Sequence, residues 1–341
     1  MAALLIVSVL AMYLLYLFSA GVQSRQNGFR RTVRANHPAT SKTLDIVYNS
    51  YYIAGVTDKS IFLGNVTNPL HLLVVDRGLT SKQSRTLVIR DNLPVQGGQL
   101  SVQDSDIYLL DWTHHRFLHG NVSQDGLTSI VTDTAYFSDG IAVNQNSFIL
   151  KKLFANGTQY VLAKKILQPQ ELVIDRKLLT CQGEGLFSID GMMRYAPSSS
   201  ILCYIYYYRN EYFTIDTNLR QMMHGRTIDT NTIAKIKVSR INSQKVLTLS
   251  APPLVVNRQA CVDDGNLYIC SNLKADNENG DAFERSSVID VYNLNTATYR
   301  FSFYVRQPNG EKLKTFQVYR DTLYGIQGRS LISLPLRHLT P

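Results

Sequence analysis

Two Asp-Gly pairs, Asp139-Gly140 and Asp190-Gly191, stand at the heads of short apolar runs, Ile141-Ala142-Val143 and Met192-Met193. Carboxylates in like positions ahead of strands can bind a cation or a polar ligand. They can also divide acid and base roles when their surroundings push their pKa values apart. Aligning the other short apolar runs on these two sets Gln99, Arg258, Gln259, Lys314 and Gln317 beside them. Together they offer carboxylate, guanidinium, ammonium and amide groups for binding. Asp-Gly is equally plain turn chemistry, so the alignment matters only if a scaffold brings the strand heads to one place.

Other chemistry is thin. The segment Asp111-Trp112-Thr113-His114-His115-Arg116-Phe117-Leu118-His119 holds three of the seven histidines and the only tryptophan. His114 and His119 are conceivable metal ligands, but the segment reads as a polar turn between two strands, with no set of carboxylates beside it. Cys181, Cys203, Cys261 and Cys270 lack the paired close spacing of a zinc ribbon. Cys203, in a wholly apolar run, reads as a small buried hydrophobe. A Walker loop, a dinucleotide fingerprint after a strand, HExxH and a GxSxG elbow are all missing. No cofactor is implied.

The elements that must position these groups are strands. Twenty Tyr and thirteen Phe in 341 residues suit half-buried pleated surfaces. From Leu44 onward no helical periodicity runs beyond two or three turns, while short alternating or apolar runs end at Gly, Asn or Asp. A strand–turn–strand pattern recurs, its second strand starting at 51, 106, 147, 202, 266 and 322. Six units of roughly 40–60 residues match four-stranded propeller blades with loop insertions. The fifth unit is the clearest: Gln259-Ala260-Cys261-Val262, the turn Asp263-Asp264-Gly265-Asn266, Leu267-Tyr268-Ile269-Cys270, then Val288-Ile289-Asp290-Val291-Tyr292 and Tyr299-Arg300-Phe301-Ser302-Phe303. Asp-Gly between such runs is a strong hairpin signal. The sixth unit ends near Leu336, short of strands, and Asp45-Ile46-Val47-Tyr48 is positioned to complete it and close the ring.

With this spacing, and with Tyr206-Tyr207-Tyr208-Arg209-Asn210-Glu211-Tyr212 followed by Asp216-Thr217-Asn218-Leu219, the chain from about 44 to 337 resembles uncharacterised membrane-anchored six-bladed propellers of the TolB-like superfamily found in Bacteroidota envelopes. The resemblance implies a fold and a compartment, and it transfers no catalytic residues. A two-domain β-sandwich is the competing architecture, although no Pro- or Gly-rich linker divides the body.

Residues 2–22 carry no charged side chain, and at a helical rise they span about 30 Å, enough for a hydrocarbon core. The expected organisation is therefore a transmembrane anchor or signal segment over 1–22, a flexible basic linker over 23–43, and an all-β six-bladed propeller over 44–341. Basic residues after the span would hold that flank in the cytoplasm. The envelope-like body instead suggests a single-pass membrane protein with its propeller on the periplasmic side. Of the net charge of +9, residues 1–44 hold five positive charges and no acid, which leaves the body nearly balanced. A duplex binder would cluster its cations on the folded domain, so no nucleic-acid partner is expected. The leading expectation is a non-enzymatic, membrane-tethered binding or scaffolding propeller that contacts a protein or envelope ligand. The alternative is a metal-assisted hydrolase or lactonase of the six-bladed type, with a divalent cation on Asp139 and Asp190.

Overall fold

The computed structural model describes residues 12, 27–34, 41–90, 94–132, 137–154, 159–183, 185–241, 246–307, 310–337 and 339. They form six antiparallel four-stranded blades, one of them extended by a short parallel fifth strand, and a separate two-stranded sheet, Val238–Ile241 with Val246–Leu249; each blade runs in chain order from its innermost strand outward, save the outer strand of the last, with the innermost strands of neighbouring blades side by side. Blade 1 comprises Tyr51–Val56, Ser60–Asn65, His71–Asp76 and Lys82–Thr86; blade 2, Gly98–Gln103, Asp106–Asp111, Arg116–Asn121 and Gly126–Thr132. Blade 3 comprises Phe137–Asn144, Ser147–Leu153, Tyr160–Ile166 and Glu171–Asp175; blade 4, Gly191–Ala196, Ile201–Tyr206, Glu211–Ile215 and Gln221–Arg226. Blade 5 comprises Asn257–Asp263, Asn266–Ser271, Ser286–Asn293 and Thr298–Arg306. Blade 6 takes Leu313–Tyr319, Thr322–Gln327 and Ser330–Pro335 from the end of the chain and its outer strand, Lys42–Asp45, from the beginning.

The fifth unit folds as its sequence predicts, down to the turn, where Asp264 (φ 43°) and Gly265 (φ 68°) both adopt the left-handed conformation that a tight hairpin requires. Closure also comes from the predicted region, but Lys42–Asp45 makes the strand, in register from Lys42↔Ser333 to Asp45↔Ser330. Val47, at φ 71°, lies past it. One assignment needs correcting: Tyr51–Val56 is the innermost strand of blade 1 and not its second. Its second strand is Ser60–Asn65, and the turn Thr57-Asp58-Lys59 that separates them lacks glycine.

A blade exposes two apolar faces, and each is covered by the blade beside it. Six clusters of buried hydrophobic residues accordingly lie one at each junction. Leu100, Ile107 and Leu118 lie between blades 1 and 2; Phe117, Phe137 and Phe148 between 2 and 3; Ile149, Met193 and Phe213 between 3 and 4. Cys203, Tyr212 and Tyr292 lie between 4 and 5, Cys261, Phe303 and Phe316 between 5 and 6, and Ile46, Leu63 and Ile326 between 6 and 1. Burying one such side chain contributes roughly 1.5–3 kcal/mol. Cys203 is the buried hydrophobe its sequence context suggests.

The apolar segment 2–22, apart from Met12, and linker residues 23–26 and 35–40 lie outside the described residues. Among the described ones no helix is long and apolar enough to cross a membrane. Residues 27–34 depart from the flexible-linker reading, because they are docked on blade 5. Phe29 packs with Val256, Leu273 and Ala275. Thr32 O accepts from Ser302 N at 2.9 Å and Arg34 N donates to Ser302 O at 2.8 Å, which adds a short parallel strand to the blade's edge. Arg31 is buried; its Nε and Nη2 donate to the two oxygens of Asp290 at 2.7 and 3.0 Å, and Nη1 donates to Leu273 O at 2.9 Å and meets Glu278. An arginine read as a solvated charge is thus the counter-ion of two buried carboxylates more than two hundred residues away.

Replacing Arg31 leaves Asp290 and Glu278 buried without a cation. Arg31→Met should cost about 3–5 kcal/mol of stability, measured by urea unfolding; a loss below about 1 kcal/mol would show that the arm is not docked in solution.

Candidate functional site

Near the ring's axis polar side chains bridge the junctions. Tyr52 of blade 1 accepts from Leu100 N of blade 2 at 2.6 Å, and Gln103 Nε2 of blade 2 donates to Ala142 O of blade 3 at 2.8 Å. Arg194 Nε of blade 4 donates to Ala260 O of blade 5 at 2.6 Å, and Arg258 Nη2 of blade 5 donates to Leu313 O of blade 6 at 2.7 Å. Lys314 Nζ of blade 6 donates to Asn49 O at 2.6 Å and Tyr51 O at 3.2 Å, at the start of blade 1. These five bridges all end on backbone groups, which each strand supplies whatever its sequence.

The sixth differs. Lys151 Nζ, on the second strand of blade 3, reaches Asp190 Oδ1 of blade 4 at 2.9 Å, a pair of charged side chains. Lys151 is buried and its ammonium lies 5.0 Å from the centre of the Tyr160 ring, whereas the Asp190 side chain keeps about a third of its surface open. A short 3-10 helix, Gly185–Ile189, delivers Asp190, whose backbone is pinned by Tyr207 N donating to Asp190 O at 2.9 Å.

This pair opens into a cavity of about 280 Å³ at one mouth of the channel, lined by Gln99, Trp112, Ser138, Asp139, Lys151, Tyr160, Asp190, Gly191 and Tyr207. Asp139 sits where the inner strand of blade 3 slips register between Phe137 and Asp139. Its Oδ1 accepts from Gly140 N at 2.8 Å. Burial raises its pKa above the usual carboxylate range, against the opposing pull of that bond, Arg194 and Lys151. Burial likewise raises the Tyr207 hydroxyl, with Arg194 opposing and Asp139 and Asp190 adding to it. The mouth thus presents a buried ammonium, two carboxylates of different exposure, a phenol and the rim indole of Trp112, a mixture suited to a polar ligand with both donors and acceptors.

Of the residues nominated from sequence, Asp139, Asp190 and Gln99 share this cavity. Gln259 lies beyond it, accepting from Arg194 Nη2 at 3.2 Å. Arg258 and Lys314 are occupied as bridges between blades, and Gln317 lies further down its strand opposite Tyr324. Lys151 and Tyr207 escaped the sequence reading because only innermost strands were aligned, whereas Lys151 projects from a second strand and Tyr207 follows one. His114 and His119 stand at opposite ends of a hairpin on separate carboxylates, His114 Nδ1 at 2.8 Å from Asp111 and His119 Nε2 at 2.6 Å from Asp106. They do not converge. The cysteines form no disulfide; Cys261 pairs across strands with Tyr268, and burial pushes its thiol up to about 12.

No protein-family model matches the sequence, and no match is found among curated proteins. Solved structures similar in fold include a member of the DUF4221 family from Bacteroides vulgatus, 12% identical with a TM-score of 0.53, covering 91% of this chain and 98% of that one. A structural-genomics protein of unknown function from Bacteroides thetaiotaomicron is 9% identical with a TM-score of 0.52, covering 91% of this chain and 74% of that one. YCF48 bound to D1 peptide is 9% identical with a TM-score of 0.50, covering 90% and 99%. At such identities the likeness shows the fold alone.

At the other end of the inner strands Asp263 is pushed up to about 6, first by burial and then by Asp264 and Asp321, with Arg320 N opposing. In the unfolded chain the group titrates near 4. The folded state therefore takes up the proton first. Its contribution to stability is full below about pH 4 and is lost as pH rises through about 6. Asp263→Asn should raise the melting temperature by a few degrees at pH 7 and leave it nearly unchanged at pH 4. Asp139→Asn should act in the same direction, both read by calorimetry across pH.

Proposed function

We propose that this chain is a non-enzymatic binding or scaffolding propeller whose mouth between blades 2, 3 and 4 receives a polar ligand or a protein segment. The observation that carries the reading is the Lys151–Asp190 bridge. Charged pairs also join blades 1 and 2, Arg85 with Asp125, and blades 6 and 1, Arg320 with Asp58, but in the Lys151–Asp190 pair a buried ammonium meets a carboxylate and both side chains line the mouth cavity. Rigid scaffolds with variable loops commonly serve as platforms. The similarly folded YCF48 has a structure with D1 peptide bound, which is in keeping with a peptide-sized partner.

The proposal extends to residues 2–22 as a single-pass membrane anchor, with the propeller on the periplasmic side, as in the TolB-like envelope proteins the sequence resembles. Their uncharged length supports the anchor. The docked arm of residues 27–34 then leaves only a short tether between bilayer and blade 5.

The second reading, a metal-assisted hydrolase or lactonase using Asp139 and Asp190, is disfavoured by the donor set. The Lys151 ammonium stands on Asp190 where a cation would be wanted, and among the described residues no group of three or more His, Cys, Asp or Glu side chains is placed to hold a metal.

Melting of the full-length protein with and without calcium or zinc separates the two. The platform reading expects no ion-dependent shift for the wild type or for Asp139→Asn with Asp190→Asn. A stabilisation by calcium or zinc that the double variant abolishes would instead establish the metal site.

A further inference from the structure

The outermost strand of a blade has a row of backbone donors and acceptors with no partner, and proteins generally blunt such edges with charge or cover them. Five of the six blades follow that rule. Blade 1 ends on Lys82–Thr86, Lys-Gln-Ser-Arg-Thr, and blade 6 on Lys42–Asp45. Blade 4 ends on Gln221–Arg226, whose two methionines are flanked by Gln221, His224 and Arg226. Blade 2 is covered by a fifth strand, Val88–Ile89, which pairs in parallel with Gly126 and Leu127. Blade 5 is covered by the arm at Val33, again in parallel.

Blade 3 does not follow it. Its outer strand, Glu171–Asp175, carries Leu172, Val173 and Ile174 in succession, each about 39% exposed, and among the described residues nothing pairs with its outer side. Beside it lies a groove of about 370 Å³, bounded by Val173, Leu178 and Leu219 and continuing to Arg220 on the turn of blade 4. The charges around it are predominantly positive. Lys164 and Lys165 stand opposite Val173 and Leu172 on the neighbouring strand, and Lys177 and Arg220 line the groove. The nearby carboxylates keep their charge but turn oxygens toward the chain's own backbone: Asp175 accepts from Lys177 N and Leu178 N at 2.7 and 2.9 Å, and Asp216 from Asn218 N and Arg220 N at 2.8 and 2.9 Å, so that four cations stand against three acids. Glu171, at the strand's start, is the remaining acid.

We infer that the outer edge of blade 3 is a docking surface for an extended segment of a partner protein in which acidic and aliphatic residues alternate, added as a fifth strand. Strand addition satisfies the idle backbone groups, and alternation sends one side-chain row to the face of Leu172 and Ile174 and the other to the face of Val173 and Lys164, beside Lys177 and Arg220 of the groove. The chain already accepts a short fifth strand on blade 2 and a single parallel bridge, at Val33, on blade 5. The net positive surround selects an acidic occupant over a basic one.

The test uses the full-length protein and three fluorescein-labelled heptapeptides, read by anisotropy: alternating Glu and Val, the same peptide N-methylated at alternate backbone nitrogens, and alternating Lys and Val. The acidic peptide should bind saturably and weaken roughly tenfold when Lys177→Glu and Arg220→Glu are combined, and both other peptides should fail to bind. Failure of the acidic peptide to bind, equal binding of the lysine peptide, or indifference to the charge reversal would overturn the inference. So would sedimentation showing a dimer that Val173→Lys dissolves, since the edge would then belong to a second copy of this chain.

Discussion

A blade of four short strands cannot shield either of its own faces, and this constraint organises the molecule. Every apolar face is buried by the next blade, so the core is six slabs arranged around an axis. A ring of this kind is only as sound as its seam. The seam is Lys42–Asp45, a strand from the chain's beginning that completes the blade made at its end, and beside it Ile46 joins the cluster between blades 6 and 1. Opening the seam would expose that cluster and leave Ser330–Pro335 paired on one side alone.

The axial bridges add direction to this packing. Hydrophobic burial is indifferent to small rotations of one blade against another, whereas a hydrogen bond from Arg194 to Ala260 O or from Arg258 to Leu313 O is not. Five junctions use backbone as the acceptor or donor, an arrangement tolerant of sequence change. The junction between blades 3 and 4 depends on a specific ammonium, which is buried, and a specific carboxylate, about a third open. Beside it the mouth keeps Asp139 where burial penalises its charge and raises its pKa.

Both ends of the chain's described part serve the ring. The arm of residues 27–34 covers the edge of blade 5 and brings Arg31 to Asp290 and Glu278, while the strand after it closes blade 6. Edge management is uneven around the molecule, with blade 3 left apolar and open beside a basic groove.

Strand identity, the count of six units and the tight turn at Asp264-Gly265 were legible in the sequence, because alternation, spacing and left-handed turn residues are local properties read from neighbouring positions. The placing of Asp139, Asp190 and Gln99 at one mouth was legible for a related reason: repeated units put equivalent residues in equivalent places. What only the tertiary structure decided depended on partners distant in the chain. Arg31 became a buried counter-ion, Arg258 and Lys314 became struts, and Lys151 entered the site from a second strand. A cation's role is set by which carboxylate or carbonyl the folded ring brings within about 3 Å of it, and no pattern of neighbouring residues encodes that distance.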